Sequence, residues 1–250
     1  MPAFRTNPGR VTQGFMIQAV FFDFNGVIID DEPIQLKAYQ EVLRDEGVAL
    51  TEADYYECLG MDDATFVRAA FERAGREMTD EALRRVIERE TAKHREMIKD
   101  ELPLFPGVVT FVKALSRGHS LGVVSMASRE AIDYVLGRAG LLEHFAVVVS
   151  AADVAACKPD PACYNRGLEF LNARRAASDV LPVRAEECLV VEDSPPGILS
   201  GRAAGMRTLG VTNTVPDKAL RDAGADVVTR SLADWTVDAV HHVFDTSWGR

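Results

Sequence analysis

The sequence predicts an α/β fold: a doubly wound parallel sheet with an α-helical domain inserted near its start. Three observations carry this. Short apolar runs recur through the second half of the chain, each followed by a helical pattern. A further apolar run stands alone at residues 19–24. Between Glu32 and Leu102 no strand-like run occurs. Apolar runs of roughly 4–8 residues bounded by turn signals fit strands buried on both faces, and their alternation with helices implies parallel pairing through right-handed crossovers.

Strands are expected at 19–24, 121–125, 146–150, 188–192, 207–211 and 226–229. Helices are expected at about 107–117, 129–139, 161–172, 197–204 and 217–223. The stretches Ile34–Leu43 and Ala82–Ile98 show helical spacing, and Phe105-Pro106-Gly107 restarts the strand–helix rhythm. The expected division is a core of residues 16–31 and 103–240 and a helical domain of residues 32–102, hinged near Asp31–Pro33 and Leu102–Phe105. Residues 1–15 hold Arg5, Asn7, Pro8, Gly9 and Arg10 but no apolar stretch of the secretory kind. They are expected to form a disordered extension, with Met16 as an alternative start. Residues 241–250 are expected to be a C-terminal tail.

At 250 residues and 47% hydrophobic, the chain can bury a substantial core. Its formal charge of −10 argues against nucleic acid as a main partner, which would need a basic footprint. No apolar run reaches the roughly 20 residues that span a bilayer. The four cysteines (Cys58, Cys157, Cys163 and Cys188) form no C-x-x-C pair and lack zinc-ligand spacing. They read as reduced thiols of a cytoplasmic protein, expected to be a monomer or weak homodimer without membrane or nucleic-acid partners.

Parallel sheets bind ligands beyond the carboxyl ends of their strands, so chemistry is expected from the residues at those ends. The first run closes on a lone carboxylate, Asp23, followed by Phe24-Asn25-Gly26. An Asp there is a candidate nucleophile or metal ligand, or a residue that caps a turn. Leu121–Ser125 ends on a hydroxyl, and Cys188–Asp193 ends on the adjacent acids Glu192 and Asp193. Lys158 follows the run Ala146–Ser150. Acids for a hard cation, a lysine for phosphoryl oxygens and a carboxylate able to attack phosphorus form the set that magnesium-dependent phosphoryl transfer requires.

In this order, Asp23-Phe-Asn-Gly-Val-Ile-Ile-Asp-Asp-Glu-Pro33, Ser125, Lys158-Pro159 and Val191-Glu-Asp-Ser-Pro-Pro-Gly197 resemble the haloacid dehalogenase superfamily. The match is to its helical-cap phosphatase branch and the β-phosphoglucomutase-like group, from about Gln18 to about Trp235. The resemblance implies a Rossmann-like core with a cap domain, and a Mg2+-dependent phosphatase acting on a small phosphate monoester such as a sugar phosphate. Phosphomutase activity, or a catalytically impaired binding role, are the alternatives. Asp23 would be the nucleophile, Lys158 would pair with Asp23 and the phosphoryl group, and Ser125 would donate to a phosphoryl oxygen. Gly26 and Ala127 complete the phosphate-binding positions. Asp23, the main-chain carbonyl of Asn25, Asp193 and Glu192 (directly or through water) would hold Mg2+. Ser194 would cap the helix that follows, whereas Arg129 reads as a surface residue.

Asn25 departs from the resemblance, which implies a second Asp that protonates the leaving oxygen and then activates water. An amide orients but transfers no proton. An engineered Asp→Asn change, a natural preference for activated esters, or substitution by Asp30 or Asp31 would each account for it. Leu59-Gly60-Met61-Asp62-Asp63 resembles the cap loop over the site, and lacks the basic residue of the phosphoglucomutases, with Arg68 the nearest cation. Helix capping by Asp62 and Asp63 is the alternative. His94, His119, His144, His241 and His242 fall away from every motif and read as structural or surface residues.

Overall fold

A computed structural model describes residues 16–245, so the expectations for residues 1–15 and 246–250 lie outside the described residues. Six strands form one sheet: β1 (Ala19–Phe22), β2 (Ser120–Val124), β3 (Val147–Val149), β4 (Cys188–Glu192), β5 (Arg207–Val211) and β6 (Val227–Thr229). Their order is β3-β2-β1-β4-β5-β6, with every neighbouring pair parallel. β1 and β4 are buried along their whole length at the centre. The two-residue period of a strand sends Val20 and Phe22 into one apolar cluster and Ala19 and Phe21 into another. Val20, Phe21 and Phe22 each contribute about 1.5–3 kcal/mol by leaving water.

Among the described residues ten α-helices accompany the sheet: α1 (Glu32–Asp45), α2 (Glu52–Tyr56), α3 (Asp63–Arg73), α4 (Asp80–Met97), α5 (Val108–Leu115), α6 (Arg129–Ala139), α7 (Ala162–Ala177), α8 (Pro195–Ala203), α9 (Asp217–Asp222) and α10 (Val237–Phe244). The first cluster takes Phe111 from α5, Ile132 from α6 and Phe244 from α10. The second takes Tyr164 and Leu171 from α7. Helices α1 to α4 pack around a third cluster of their own, with Tyr39, Leu43, Phe66, Phe71 and Val86 at its centre. The two connections joining these helices to the sheet run side by side, Asp30 N donating to Pro103 O (2.6 Å) and Phe105 N to Ile28 O (3.2 Å).

Several boundaries differ from expectation. The first three strands stop at Phe22, Val124 and Val149, short of Asp23, Ser125 and Ser150, although Asp23 N still donates to Val191 O (3.0 Å) and Ser125 N to Val149 O (3.0 Å). α8 begins at Pro195 and not at 197, since proline's missing N–H costs nothing in a first helical turn. α7 continues to Ala177, five residues past the expected end at 172. The residues from 241 to Phe244 are not tail: α10 carries them, Val240 and Phe244 are buried, and Asp245 Oδ1 accepts from Ile17 N (2.7 Å) at the entry to β1. His241 stacks beside His119, with ring centroids 5.1 Å apart. Among the described residues no helix is long and apolar enough to cross a membrane.

Candidate active site

After β1 the chain crosses to β2 on one side, and β4 returns on the other, so a crevice opens beyond the carboxyl ends of β1 and β4. Asp23 is the residue after β1, Asp193 the residue after β4 and Ser125 the residue after β2, and Lys158 comes from the loop beyond β3. These four, with Asn25 and Ala127, line one cavity. Sheet topology thus brings together residues scattered over most of the chain.

Lys158 is the hub of the charge network. Its Nζ lies 2.9 Å from Asp23 Oδ1 and 2.6 Å from Glu192 Oε1, and all three side chains are nearly or wholly buried. The Lys158–Pro159 peptide bond is cis. Burial works against the Lys158 charge, but Asp23 and Glu192 outweigh it and hold the ammonium above its ordinary pKa. Glu192 is saturated: Oε1 also accepts from the Tyr164 hydroxyl (2.9 Å), and Oε2 accepts from Ser194 Oγ (3.1 Å) and the amide of Asp193 (3.1 Å). A Cβ at Gly197 would overlap the Glu192 carboxylate, which accounts for glycine there. Ser194 caps α8, its hydroxyl accepting from Gly197 N (3.3 Å).

Asp23, Glu192 and Asp193 have carboxylate oxygens within 4.8 Å of one another. Burial, reinforced by Glu192 and opposed by Lys158, pushes Asp23 up to about 7. Burial, then Glu192 and Asp23, push Asp193 well above the usual carboxylate range. A crowded set of hard oxygen donors fits a hard divalent cation such as Mg2+, whose charge would relieve that repulsion. Asp193 is held from behind by the Thr214 hydroxyl.

Gly26 ties the turn after β1 to its surroundings. Its amide donates to Ile29 O (2.9 Å) and its carbonyl accepts from Asn213 Nδ2 (2.7 Å). With φ at +73°, any Cβ there would overlap the Asp193 carboxylate. Ser125 Oγ accepts from Ala127 N (3.1 Å), which leaves its hydroxyl proton to donate. Arg129 pairs with Asp133 (2.9 Å) on the surface, as expected.

Asn25 is clamped from behind. Its Nδ2 donates to both oxygens of Asp31 (3.0 and 3.1 Å), and His94 Nε2 meets Asp31 Oδ2 at 2.9 Å. Asp31 is wholly buried, and although it stands at the N-cap of α1 its side chain makes no capping bond. His94 is therefore part of the site's support, contrary to its expected distance from every motif. Sequence reasoning also missed Tyr164, Asn213 and Thr214, which no local pattern marks.

The helical side of the cavity comprises Glu32, Gln35, Tyr39, Tyr55 and the segment Cys58–Asp63. Asp62 caps α3, accepting from Thr65 N (2.8 Å), and also accepts from Cys157 Sγ (3.1 Å), next to Lys158. Asp63 accepts from the Tyr39 hydroxyl (2.6 Å). Arg68 pairs with Asp80 outside the cavity.

Comparison with known proteins agrees with this architecture. A family model for haloacid dehalogenase-like hydrolases matches residues 20–211. A phosphorylated carbohydrates phosphatase of Thermotoga maritima is 32% identical over 215 residues, which cover 84% of this chain and 92% of that protein. The SUPPRESSOR OF QUENCHING 1 protein of Arabidopsis thaliana is 30% identical over 230 residues, 90% of this chain, but the chain spans only 20% of that protein's length. The crystal structure of β-phosphoglucomutase from Clostridium difficile superposes with a TM-score of 0.79 at 20% identity, covering 92% of this chain and 97% of that one. With its motifs at the strand ends of a parallel sheet and the family match running from β1 to the end of β5, the chain belongs to the haloacid dehalogenase-like hydrolases.

Proposed function

We propose that the chain is a Mg2+-dependent phosphatase that hydrolyses a small, sugar phosphate-like monoester through an aspartyl-phosphate on Asp23. The observation that carries this reading is the buried Asp23–Lys158 pair at 2.9 Å, in a cavity that Asp193 and Ser125 share. Asp23 attacks phosphorus and the alcohol leaves; water then attacks phosphorus and frees the carboxylate. Lys158 favours the ionised form of Asp23 and neutralises a phosphoryl oxygen, and Ser125 donates to another. Asp23, Asp193 and the Asn25 carbonyl would hold Mg2+, with Glu192 behind them. When bound, the ion supplies positive charge against the phosphoryl oxygens. Residues 32–102 act as a cap, hinged near Asp31–Pro33 and Leu102–Phe105, that excludes water from the loaded site.

Among the described residues Lys158 is the one cation lining the cavity, and Asp23 and Glu192 already engage it. That favours a substrate with one phosphate, and hydrolysis over a mutase reaction through a bisphosphate. The carbohydrate phosphatase relative supports the same substrate class. Four free cysteines support a cytoplasmic setting.

Steady-state hydrolysis of p-nitrophenyl phosphate tests this reading. Expected is turnover that requires Mg2+, is abolished by a chelator, and falls on the order of 10³-fold or more in Asp23→Asn. Absence of turnover, or turnover that survives Asp23→Asn, would refute it.

A further inference from the structure

Asn25 stands beside the nucleophile with no proton to give, and three acids follow it in sequence. Asp30 is exposed. Asp31 is wholly buried, its oxygens committed to Asn25 and His94. Glu32 alone of the three lines the cavity with Asp23, Asn25, Lys158 and Asp193. Resting on the phosphatase reading, the geometry points to Glu32, at the first position of α1, as the catalytic acid and base that replaces a carboxyl at position 25.

Glu32 is anchored at the cavity by a hydrogen bond from Tyr55. Its Oε2 lies 2.6 Å from the Tyr55 hydroxyl, which is also 3.0 Å from Gln35 Oε1. One phenolic proton serves one acceptor. The shorter contact takes it, with the Tyr55 hydroxyl donating to Glu32 Oε2. Among the described residues no Lys, Arg or His pairs with Glu32. Burial, opposed by the Tyr55 bond and reinforced by Asp31, Asp23 and Asp30, pushes its pKa up to about 7. A carboxyl in that range serves as acid and base near neutral pH.

In the first half-reaction an Asp23 oxygen bonds to phosphorus and the bond from phosphorus to the ester oxygen breaks. The electron pair stays on that oxygen, which takes the Glu32 proton and departs as the alcohol. In the second, the Glu32 carboxylate takes a proton from water as the water oxygen bonds to phosphorus. The phosphorus–Asp23 bond then breaks, the pair returns to the carboxylate, and inorganic phosphate leaves with Glu32 again protonated.

The test is kcat/KM for p-nitrophenyl phosphate and phenyl phosphate, which covers the steps up to loss of the leaving group. p-Nitrophenolate departs with little need of a proton, whereas phenolate needs one. The unmodified chain is expected to hydrolyse the two within about tenfold of each other. Glu32→Gln is expected to lose on the order of 10²-fold or more on phenyl phosphate and less than about tenfold on p-nitrophenyl phosphate. Retained activity on the second substrate also establishes that the variant is folded. Equal losses on both substrates, or none, would overturn the assignment while leaving the phosphatase reading intact. Should Glu32→Gln not fold, the unmodified chain decides: a fall beyond about 10²-fold from p-nitrophenyl to phenyl phosphate means that no acid assists departure. If the unmodified chain hydrolyses neither ester, the phosphatase reading fails and the assignment with it.

Discussion

Asn25 shows how one residue's environment decides its chemistry. The Asp31 carboxylate, wholly buried and 3.0 Å from Asn25 Nδ2, takes its hydrogen bonds from that amide and from His94. A carboxylate at position 25 would remove a donor and set a second acid against the buried Asp31. Asn25→Asp is therefore expected to lower stability by about 1–3 kcal/mol, read as a fall in thermal midpoint, and to raise activity by no more than a few-fold. Adding Asp31→Asn should recover the midpoint. A large gain in activity from Asn25→Asp alone would contradict this account. The sequence exposed the anomaly at Asn25 but not its cause. An Asp before a helix reads as a cap, and only the fold shows Asp31 turned instead towards Asn25 and a histidine 63 positions away.

Among the elements, α4 brings titratable groups into the interior. It buries Glu90 and His94 on its inner face, and Glu90 Oε1 is buried without a hydrogen-bond partner among the described residues. Burial, then Asp63 and Asp31, push Glu90 up to about 9 from an ordinary 4.5. The folded protein thus holds this proton to higher pH than the unfolded chain does. The associated stability is fully present below about pH 4.5 and is lost as pH rises towards about 9. Glu90→Gln keeps the shape and removes the titration. Its thermal midpoint should exceed that of the unmodified chain near pH 9, by about 2–4 °C for each kcal/mol relieved, with no such advantage near pH 5. An advantage confined to acid pH would contradict the assignment. Element boundaries were legible where apolar runs end cleanly, as at Cys188–Glu192. They blurred at the strand ends before Asp23 and Ser125, and at α10, whose buried Val240 and Phe244 were too short a pattern to separate from a tail.

Over the whole molecule, parallel order makes the site inevitable once the strands are known, because β1, β2, β3 and β4 all deliver their carboxyl ends to one edge. That much was legible in the sequence: Asp23, Ser125, Lys158 and Asp193 meet as their strand-end positions imply. The contribution of α1 to α4 was not. Their helical patterning shows which residues are apolar, but which polar ones, such as Glu32, Gln35 and Tyr55, face the cavity depends on how that unit docks on the sheet. The central claim remains the covalent intermediate on Asp23. Its most direct test is acid-quenched turnover of p-nitrophenyl phosphate with Mg2+, followed by mass spectrometry of the peptides. A phosphoryl adduct on the peptide bearing Asp23, absent from Asp23→Asn, is the predicted result. Sustained turnover with the adduct on another residue would contradict it.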